Sequence, residues 1–265
     1  GGDRMRFTVV TVSTTIIQTL IHVYRAFEKE HSGLLALDVF YAAREMSSAK
    51  REAMEASIIA SDAVLVDLMG SPEDIVKDVN EALARTKGNV IPYGQSGRAY
   101  MRLGEVSAQS MKMGTGIGAK KPDMKAMKKM GDMAEKMGKV MPGKMRDLGN
   151  LSQFSKYFAM ADANNMRNML LLLLRDYGGC TDLPKPDKAR EIPNIGICDP
   201  GTHVYYDHYR AYSQSHGHDD TKPVVAVLYY GHTYPNDTSP CVAEICRRIR
   251  IFANVLPIAF SSPAG

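Results

Sequence analysis

The stretch "AVLVDLMGSPEDIVKDVNEALARTKGNVIPY", residues 63–93, has the pattern of a strand, a helix and a second strand. Its first run, Ala63–Met69, is apolar and short enough for a strand buried on both faces. A helix start follows, with Ser71 as the predicted N-cap, Pro72 at the first helical position and acidic residues in the first turn. The run Asn89–Tyr93 predicts the next strand. Two strands joined by one helix need a crossover connection, which predicts parallel pairing.

The same alternation extends toward the N-terminus. The runs "RFTVVTVS" (Arg6–Ser13) and "LLALDVFY" (Leu34–Tyr41) predict two further strands, with a helix between them and another over about residues 48–60. Residues 5–97 therefore predict an α/β domain with a doubly wound, mostly parallel sheet of the Rossmann or flavodoxin-like kind.

Ligands of such a sheet bind outside the carboxyl ends of its strands. The candidate ligand-binding residues at these ends are Ser13, Thr14, Ser71, Gln95 and Ser96. None of these turns has the GxGxxG pattern. The glycine-rich "MGTGIGAKK" (Met113–Lys121) follows no predicted strand and lacks Rossmann or Walker spacing, so a linker is the better interpretation.

Residues 98–179 predict a helical segment with a basic, methionine-rich stretch. A helix is predicted over Arg98–Ser110, and a central helix over Ala163–Tyr177, which is apolar almost all round. Between them, methionines from Met124 to Met141 recur every three or four residues, so they form one stripe with the lysines largely off it. The stripe favours packing on neighbouring helices, but flexible thioethers can also accept a large flat apolar ligand, a partner helix or a soft metal.

The charge is concentrated in the same stretch. Residues 111–147 hold ten Lys and Arg against four Asp and Glu, whereas the whole chain of 265 residues has a net charge of +4. No aromatic residues that could stack on bases are interleaved with these lysines, which argues against nucleic-acid binding. The sequence also shows no run of the roughly 18 apolar residues that a membrane span needs, no signal-peptide pattern and no CxxC pair, so we expect a cytoplasmic protein with reduced thiols.

Residues 180–221 predict a proline-rich linker with a short strand at Ile195–Cys198 and a helix over residues 203–212. The following "SQSHGHDD" contains His216 and His218, whose donor types suit a divalent metal ion, although a solvated loop is the favoured alternative. Residues 222–265 then predict the start of a second α/β unit that stops before it is complete.

Five segments resemble, in this order, the N-terminal portion of the large subunit of tetrapyrrole metal chelatases. They are "IIASDAVLVDLMGSPEDI" (58–75), the basic Met/Gly stretch, "LLRDYGG" (173–179), "PKPDKAREIPNIGICDP" (184–200) and "PVVAVLYYGHTYPNDT" (223–238). This family comprises the cobaltochelatase large subunit of cobalamin biosynthesis and the H subunit of magnesium chelatase.

The chain departs from the family after the last of these segments. Family members commonly continue with Arg-Ser-His and then a Gly-Asn-Thr or Gly-Asp segment. This chain has Gly231-His232-Thr233 and then Pro235-Asn236-Asp237-Thr238, so the Arg is missing and the His is shifted. The resemblance implies that His232 takes the place of the family histidine despite the shift, but a structural role at a strand end is an equal alternative, and the missing Arg removes support for a specific contact. Tyr230, His232 and Asn236 are therefore further ligand-binding candidates.

The resemblance implies an enzyme that forms nitrogen–metal bonds by inserting Co²⁺ or Mg²⁺ into a porphyrin- or corrin-type macrocycle. It implies AAA+ partner subunits that hydrolyse ATP, no tightly bound cofactor, and catalytic residues downstream of Gly265, so that the chain is a fragment inactive on its own. The alternative is a stand-alone flavodoxin-like module that binds a small ligand or regulates another protein without catalysis.

Overall fold

A computed structural model describes residues 4–113, 124–137, 143–191, 193–202, 204–230 and 239–260. The chain forms two compact units. The first consists of Gly1–Phe158 with Ala163–Ala189, and the second of Ala159–Asp162 with Arg190–Gly265. The four-part division expected from the sequence, at 5–97, 98–179, 180–221 and 222–265, stays a prediction.

The first unit is built on a six-stranded sheet. Its strands are β1 (Met5–Thr11), β2 (Leu35–Tyr41), β3 (Ala63–Val66), β4 (Asn89–Pro92), β5 (Arg102–Leu103) and β6 (Val106–Ser107). They lie in the order β2-β1-β3-β4-β5-β6, and the first four pair in parallel whereas β5 and β6 are antiparallel. This confirms the predicted doubly wound, mostly parallel α/β fold, with the flavodoxin-like order over its first four strands.

Seven helices accompany this sheet in the part of the chain that the structure describes. They are α1 (Thr14–Glu30), α2 (Ser48–Ala60), α3 (Glu73–Arg85), α4 (Ala108–Met113), α5 (Met124–Met137), α6 (Lys144–Ala159) and α7 (Ala163–Asp176). Right-handed crossovers put α1 on one face and α2 and α3 on the other, because the chain steps from β1 to β2 in one direction and from β2 to β3 and β4 in the opposite direction. On the second face, Met54 and Ile75 pack with Val10 and Val66 in one buried cluster.

The helix α7 is central, as predicted. Its residues Met169–Leu174 are all buried, and it packs against α1. At its surface the guanidinium of Arg167 pairs with Glu30 at 2.7 Å and lies over the ring of Phe27.

Two predictions of local structure in this unit were wrong. Residues 98–110 form a 3-10 turn (Arg98–Tyr100), the β5–β6 hairpin and α4 rather than one helix. The hairpin is possible because Gly104 has φ +57°, a left-handed conformation that suits a two-residue turn. Ser71 is not the N-cap of α3, since Pro72 holds that position with an extended ψ of 144° and the helix begins one residue later than predicted.

The methionine stripe of α5 also differs from the favoured interpretation. Met130, Met133 and Met137 are 41%, 54% and 41% exposed, whereas Ala134 is fully buried. The helix packs on α6 through its small residues, because Gly149 of α6 lies against the backbone of α5 at Ala134 and Glu135. Packing of the methionines on neighbouring helices is therefore wrong for these three side chains.

The second unit has its own four-stranded sheet. Its elements are β7 (Ile195–Cys198), β8 (Tyr205–Tyr206), α8 (Tyr209–Ser215), β9 (Val224–Tyr230), α9 (Ser239–Ile249) and β10 (Asn254–Phe260). The strand order is β8-β7-β10-β9, with β9 and β10 parallel and β7 antiparallel to both of its neighbours.

The connection β9-α9-β10 confirms the predicted start of a second α/β unit. The helix α9 packs Val242 and Cys246 on one face of the sheet, against Tyr229, Val255 and Ala259. The predicted helix over residues 203–212 was wrong, because β8 occupies part of that range and α8 begins only at Tyr209. The strand β8 forms there because Tyr205 and Tyr206 pair with Cys198 and Ile197 of β7.

Candidate functional site

The strand order of the first unit reverses between β1 and β3, and their carboxyl ends form the site where such sheets bind ligands. Asp67 follows β3 directly and is only 6% exposed. Its Oδ2 accepts a hydrogen bond from the hydroxyl of Thr11 at 3.0 Å, and backbone N–H groups of Val12 and Met69 also donate to its carboxylate. Asp67 thus ties the ends of the two strands together.

The charge state of Asp67 is set by two opposing effects. Burial raises its pKa above the ordinary value, and the hydrogen bonds from Thr11, Met69 and Val12 offset only part of this rise. The donors around it are all neutral, so no positive charge compensates for the loss of hydration. A buried carboxyl group with a raised pKa at a switch point is a typical feature of a functional site, although structural groups share it.

Most of the residues predicted from the strand ends have structural roles. The hydroxyl of Ser13 caps α1 by accepting a hydrogen bond from Ile16 N at 3.2 Å. Ser96 Oγ accepts a hydrogen bond from Leu68 N at 2.8 Å. Thr14 and Gln95 are exposed, and Gln95 accepts a hydrogen bond from Arg98 at 3.3 Å.

Ser71 differs from the other predicted residues. Its Oγ is buried and has no hydrogen-bond partner among the residues that the structure describes. Ser71 does not cap α3, so its hydroxyl group is free to form a hydrogen bond with a ligand at the carboxyl end of β3.

The second unit contains a charged cluster that consists of Asp199, Tyr212, His216 and Arg250, called here the Asp199 cluster. Asp199 follows β7, and its Oδ1 accepts hydrogen bonds from the backbone N–H groups of Gly201 at 2.8 Å and Thr202 at 2.9 Å. Its Oδ2 lies 2.9 Å from His216 Nε2 and 3.3 Å from Arg250 Nη2. Burial opposes ionisation of Asp199, but these donors outweigh it and hold its pKa below the ordinary value.

The imidazole of His216 is held on both sides. Its Nδ1 lies 3.0 Å from the carbonyl oxygen of Tyr212, and its ring stacks on the Tyr212 ring with centroids 4.0 Å apart. Both nitrogens therefore face acceptors, and both hydrogen bonds form together only when both nitrogens carry protons. The hydroxyl of Tyr212 in turn accepts a hydrogen bond from Arg250 at 3.2 Å.

His218, the second predicted metal ligand, contacts the Tyr212 ring of this cluster edge-on, with centroids 5.5 Å apart. Its Nδ1 is 3.0 Å from the hydroxyl of Tyr209, and the ring also bonds to the backbone of Val255. Burial lowers its pKa. No group of three side chains suited to holding a metal ion occurs among the described residues, so the metal site at His216 and His218 stays a prediction.

The remaining predicted candidates cannot be placed. His232 and Asn236 lie outside the described residues, and for Tyr230 only the backbone, at the end of β9, is described. No helix in the described part of the chain is long and apolar enough to cross a membrane.

A family match covers the second unit and the segment before it. Residues 155–265 match the family described as CobN/Magnesium Chelatase, and they contain the whole Asp199 cluster. The resemblance predicted from the sequence is confirmed.

One solved structure with overall similarity is the catalytic subunit of cobaltochelatase from Mycobacterium tuberculosis, with 14% identity and a TM-score of 0.41. The alignment covers 97% of this chain and 16% of that subunit, so the chain spans about a sixth of the length of the protein it matches. No curated protein sequence matches the chain.

Sequence reasoning missed the two carboxylates around which these sites are built. Asp67 and Asp199 each follow an apolar strand directly, and this position was the available signal for both. Arg250 gave no comparable signal, because it reaches Asp199 from 51 positions further along the chain.

Proposed function

We propose that this chain is part of the large subunit of a metal chelatase, which inserts Co²⁺ or Mg²⁺ into a porphyrin- or corrin-type macrocycle. The observation that carries the proposal is the match of residues 155–265 to the CobN/magnesium chelatase family. The proposal includes AAA+ partner subunits that supply energy from ATP, a nitrogen–metal ligase activity, a cytoplasmic location and, for cobalt, a place in cobalamin biosynthesis.

Within this proposal, the present chain contributes scaffold and docking surfaces. Metal insertion needs groups that take protons from the pyrrole nitrogens and ligands that escort the metal. Both ring nitrogens of His216 are engaged by the Asp199 cluster, and His218 bonds to Tyr209 and Val255. Support for a structural role comes from these bonds, and we assign the insertion chemistry to other parts of the subunit.

The Asp199 cluster has a defined task in this arrangement. It fixes the turn after β7 through the hydrogen bonds to Gly201 and Thr202, and it joins that turn to α8 and to the segment before β10 through His216 and Arg250. These three segments come from distant parts of the chain. The cluster therefore positions the β9-α9-β10 unit within the family segment.

The test of the proposal is metal insertion by the full-length subunit with its ATPase partners. Absorbance of the macrocycle is followed with Co²⁺, Mg²⁺ and Ni²⁺ in parallel, with and without ATP. We expect ATP-dependent insertion of Co²⁺ or Mg²⁺ and none of Ni²⁺. Absence of insertion with every metal, in the presence of active ATPase partners, would contradict the proposal.

A second measurement asks whether this chain binds the macrocycle by itself. A tetrapyrrole is titrated with the 265-residue chain, and its Soret band is recorded. A shift that saturates at tens of micromolar protein indicates direct binding, whereas a constant spectrum assigns the chain to scaffold or partner docking. Neither result replaces the insertion assay.

A second candidate function is a stand-alone flavodoxin-like module that binds a small ligand. It is favoured by the raised pKa of Asp67 and the unused hydroxyl of Ser71 at the switch point of the first sheet. Thermal shift of the chain with nucleotides and flavins tests it, with Ser71→Ala as the variant and Ser13→Ala as a control that removes only the cap of α1. A native reading frame that continues for hundreds of residues beyond Gly265 favours the chelatase subunit instead.

A further inference from the structure

The sheet of the second unit has two unlike faces. On one face, Tyr229, Val255 and Ala259 are buried under α9. On the other face, Leu228 is 64% exposed and Ile195 is 65% exposed. Because side chains alternate along a strand, the exposed residues of each strand point together to the side away from α9.

The register shows that these exposed residues form one surface across three strands, together with the half-buried Ile197, Leu256 and Ile258. Leu228 of β9 lies beside Ile258 of β10, which lies beside Ile197 of β7. Ala226 lies beside Leu256 in the same way. This surface, called here the open face, consists of Ile195, Ile197, Ala226, Leu228, Leu256 and Ile258.

The composition of the open face is that of a buried surface. None of its residues is charged or polar, and β7, β9 and β10 contain no charged residue at all. Parallel strands such as β9 and β10 occur almost only in sheets whose two faces are both covered by helices. A contiguous exposed apolar surface of this kind marks an interaction site.

The topology indicates what covers this face. Both edges of β10 are used, by β9 and by β7, whereas β9 pairs on one edge only among the described residues. Suppose that a further parallel strand pairs with the free edge of β9. The chain would then leave β10 and cross back over β9, in the direction opposite to its step from β9 to β10. Because crossovers of this kind are right-handed, the helix of the return step lies on the face opposite α9, which is the open face.

We propose that the open face is the docking surface of a crossover helix, and that the free edge of β9 receives the parallel strand that follows this helix. Both are supplied by the polypeptide that continues after Phe260 in the full-length subunit. The helix presents an apolar stripe to Leu228, Ile258 and Ile197, and the carboxyl ends of β9 and the new strand become the switch point of a second doubly wound sheet.

This inference shares with the proposed function the premise of a longer subunit, but it does not depend on metal insertion. Its test therefore uses stability and hydrogen exchange. Two forms are compared, the 265-residue chain and the protein extended along its native reading frame through the next helix and strand.

The decisive variant is Leu228→Lys in both forms. In the 265-residue chain the lysine replaces an exposed leucine, so we expect an unchanged Tm. In the extended form it lies under the docked helix, so we expect a Tm lower by several degrees. The matched control is Ile245→Lys on α9, which is also an exposed apolar residue at 44% and should be neutral in both forms.

Hydrogen exchange gives a second readout on the unmutated protein. Amides of β9 that point to its free edge should exchange at least about tenfold more slowly in the extended form, because the new strand supplies acceptors. Equal exchange in both forms, or a neutral Leu228→Lys in both, would overturn the proposal. So would a reading frame that ends at Gly265.

Other occupants of the open face predict different results in the 265-residue chain. A second copy predicts a dimer in sedimentation that Leu228→Lys abolishes, and the same dimer in the extended form. A lipid surface or a porphyrin predicts protection of the open face by vesicles or by the pigment in both forms. Each of these results would overturn the assignment to the continuing polypeptide.

Discussion

Replacing Asp199 by asparagine isolates the charge of the Asp199 cluster from its shape. In Asp199→Asn the side-chain oxygen can still accept the hydrogen bonds from Gly201 and Thr202, which lie at 2.8 and 2.9 Å. The amide nitrogen then replaces Oδ2, the atom that pairs with His216 and Arg250. The variant therefore removes two charge-assisted interactions and leaves the turn after β7 in place.

The expected loss follows from the geometry of each pair. The pair with His216 is short, at 2.9 Å, and its side chains are 19% and 8% exposed, so it contributes about 1.5–3 kcal/mol. The pair with Arg250 is longer, at 3.3 Å, and the arginine is 41% exposed, which limits its contribution to about 1 kcal/mol or less. We expect the free energy of unfolding of the second unit to fall by about 2–3 kcal/mol. For a domain of about 80 residues this corresponds to a Tm lower by roughly 10–20 °C.

The pH dependence gives the sign of the effect. The folded-state pKa of Asp199 is lowered, so the folded protein binds fewer protons there than the unfolded chain does. The stabilisation is therefore complete above the unfolded value of about 3.9 and is lost as the pH falls through the lower folded value. The difference in free energy of unfolding between the native protein and Asp199→Asn should therefore shrink as the pH falls below about 4.

Urea denaturation of the 265-residue chain between pH 3 and pH 7 measures both quantities, with hydrogen exchange of β10 reporting on the second unit. The control is Asp220→Asn, which removes an exposed carboxylate from the loop between α8 and β9 and should leave the midpoint unchanged. An Asp199→Asn midpoint equal to that of the native protein at neutral pH, or a difference that does not shrink between pH 4 and pH 3, would refute the assigned role of Asp199.

Three further predictions concern packing and reactivity. Gly88→Ala should lower the free energy of unfolding by several kcal/mol, because a Cβ there would lie 2.7 Å from the backbone oxygen of Asp62 and closer still to that of Ser61. In the control Gly33→Ala the new Cβ meets no atom within 4 Å, so this variant should lose only about 1–2 kcal/mol through its left-handed φ. Thermal unfolding of the two variants compares these losses. Tyr177→Phe removes the hydroxyl that donates to the fully buried Asp147 at 2.8 Å, so the free energy of unfolding measured in urea should fall by about 1.5–3 kcal/mol. Tyr24→Phe is the control, with an expected loss of about 1 kcal/mol or less, because the Tyr24 hydroxyl donates to a backbone oxygen. A chromogenic disulfide should react at once with the exposed Cys241 and slowly with Cys198 and Cys246 until the protein unfolds, because burial hides both thiols and raises their pKa; equal rates for all three would contradict this.

The long parallel elements were predictable because their signals are local. β1, β3 and β4 are short, mostly buried apolar runs bounded by turn residues, which is typical of strands covered on both faces, whereas the edge strand β2 is half-buried. The helices between them carry apolar residues at helical spacing, such as Leu20, Val23 and Phe27 of α1. Strand and helix patterns that alternate along the chain indicate crossover connections. Such connections predict a parallel, doubly wound sheet.

The β5–β6 hairpin was not predictable in the same way. Its strands have two residues each, which is too short for any alternation to be visible. Their position is set by contacts from other segments, since the guanidinium of Arg102 donates to the backbone oxygens of Thr86 and Gly88 at 2.7 and 3.0 Å. Gly104 was the one local signal, and a single glycine also fits a helix end.

The methionine stripe shows a different limit. Periodicity places residues on a common face of a helix, but it does not say which face is buried. In α5 the small residues decide, because Gly131 and Ala134 let α6 approach closely while Glu135 bonds to Ser152 at 2.7 Å and Lys156 at 3.0 Å. The close approach and these bonds outweigh the burial of flexible thioethers, which lose side-chain entropy when they are fixed.

The two buried carboxylates that follow strands behave in opposite ways for one physical reason. Asp67 receives only neutral donors, so burial dominates and raises its pKa, whereas Asp199 also faces His216 and Arg250, and its pKa is lowered. Asp67 therefore favours the folded state below the unfolded value of about 3.9, and this contribution is lost as the pH rises through its higher folded value. Asp199 loses its contribution as the pH falls. Acidification from pH 5 to pH 3 should thus weaken the second unit more than the first, with hydrogen exchange measured separately on β1 and β10 as the check. A larger loss of protection in β1 than in β10 would show that the charges facing Asp199 do not set its ionisation.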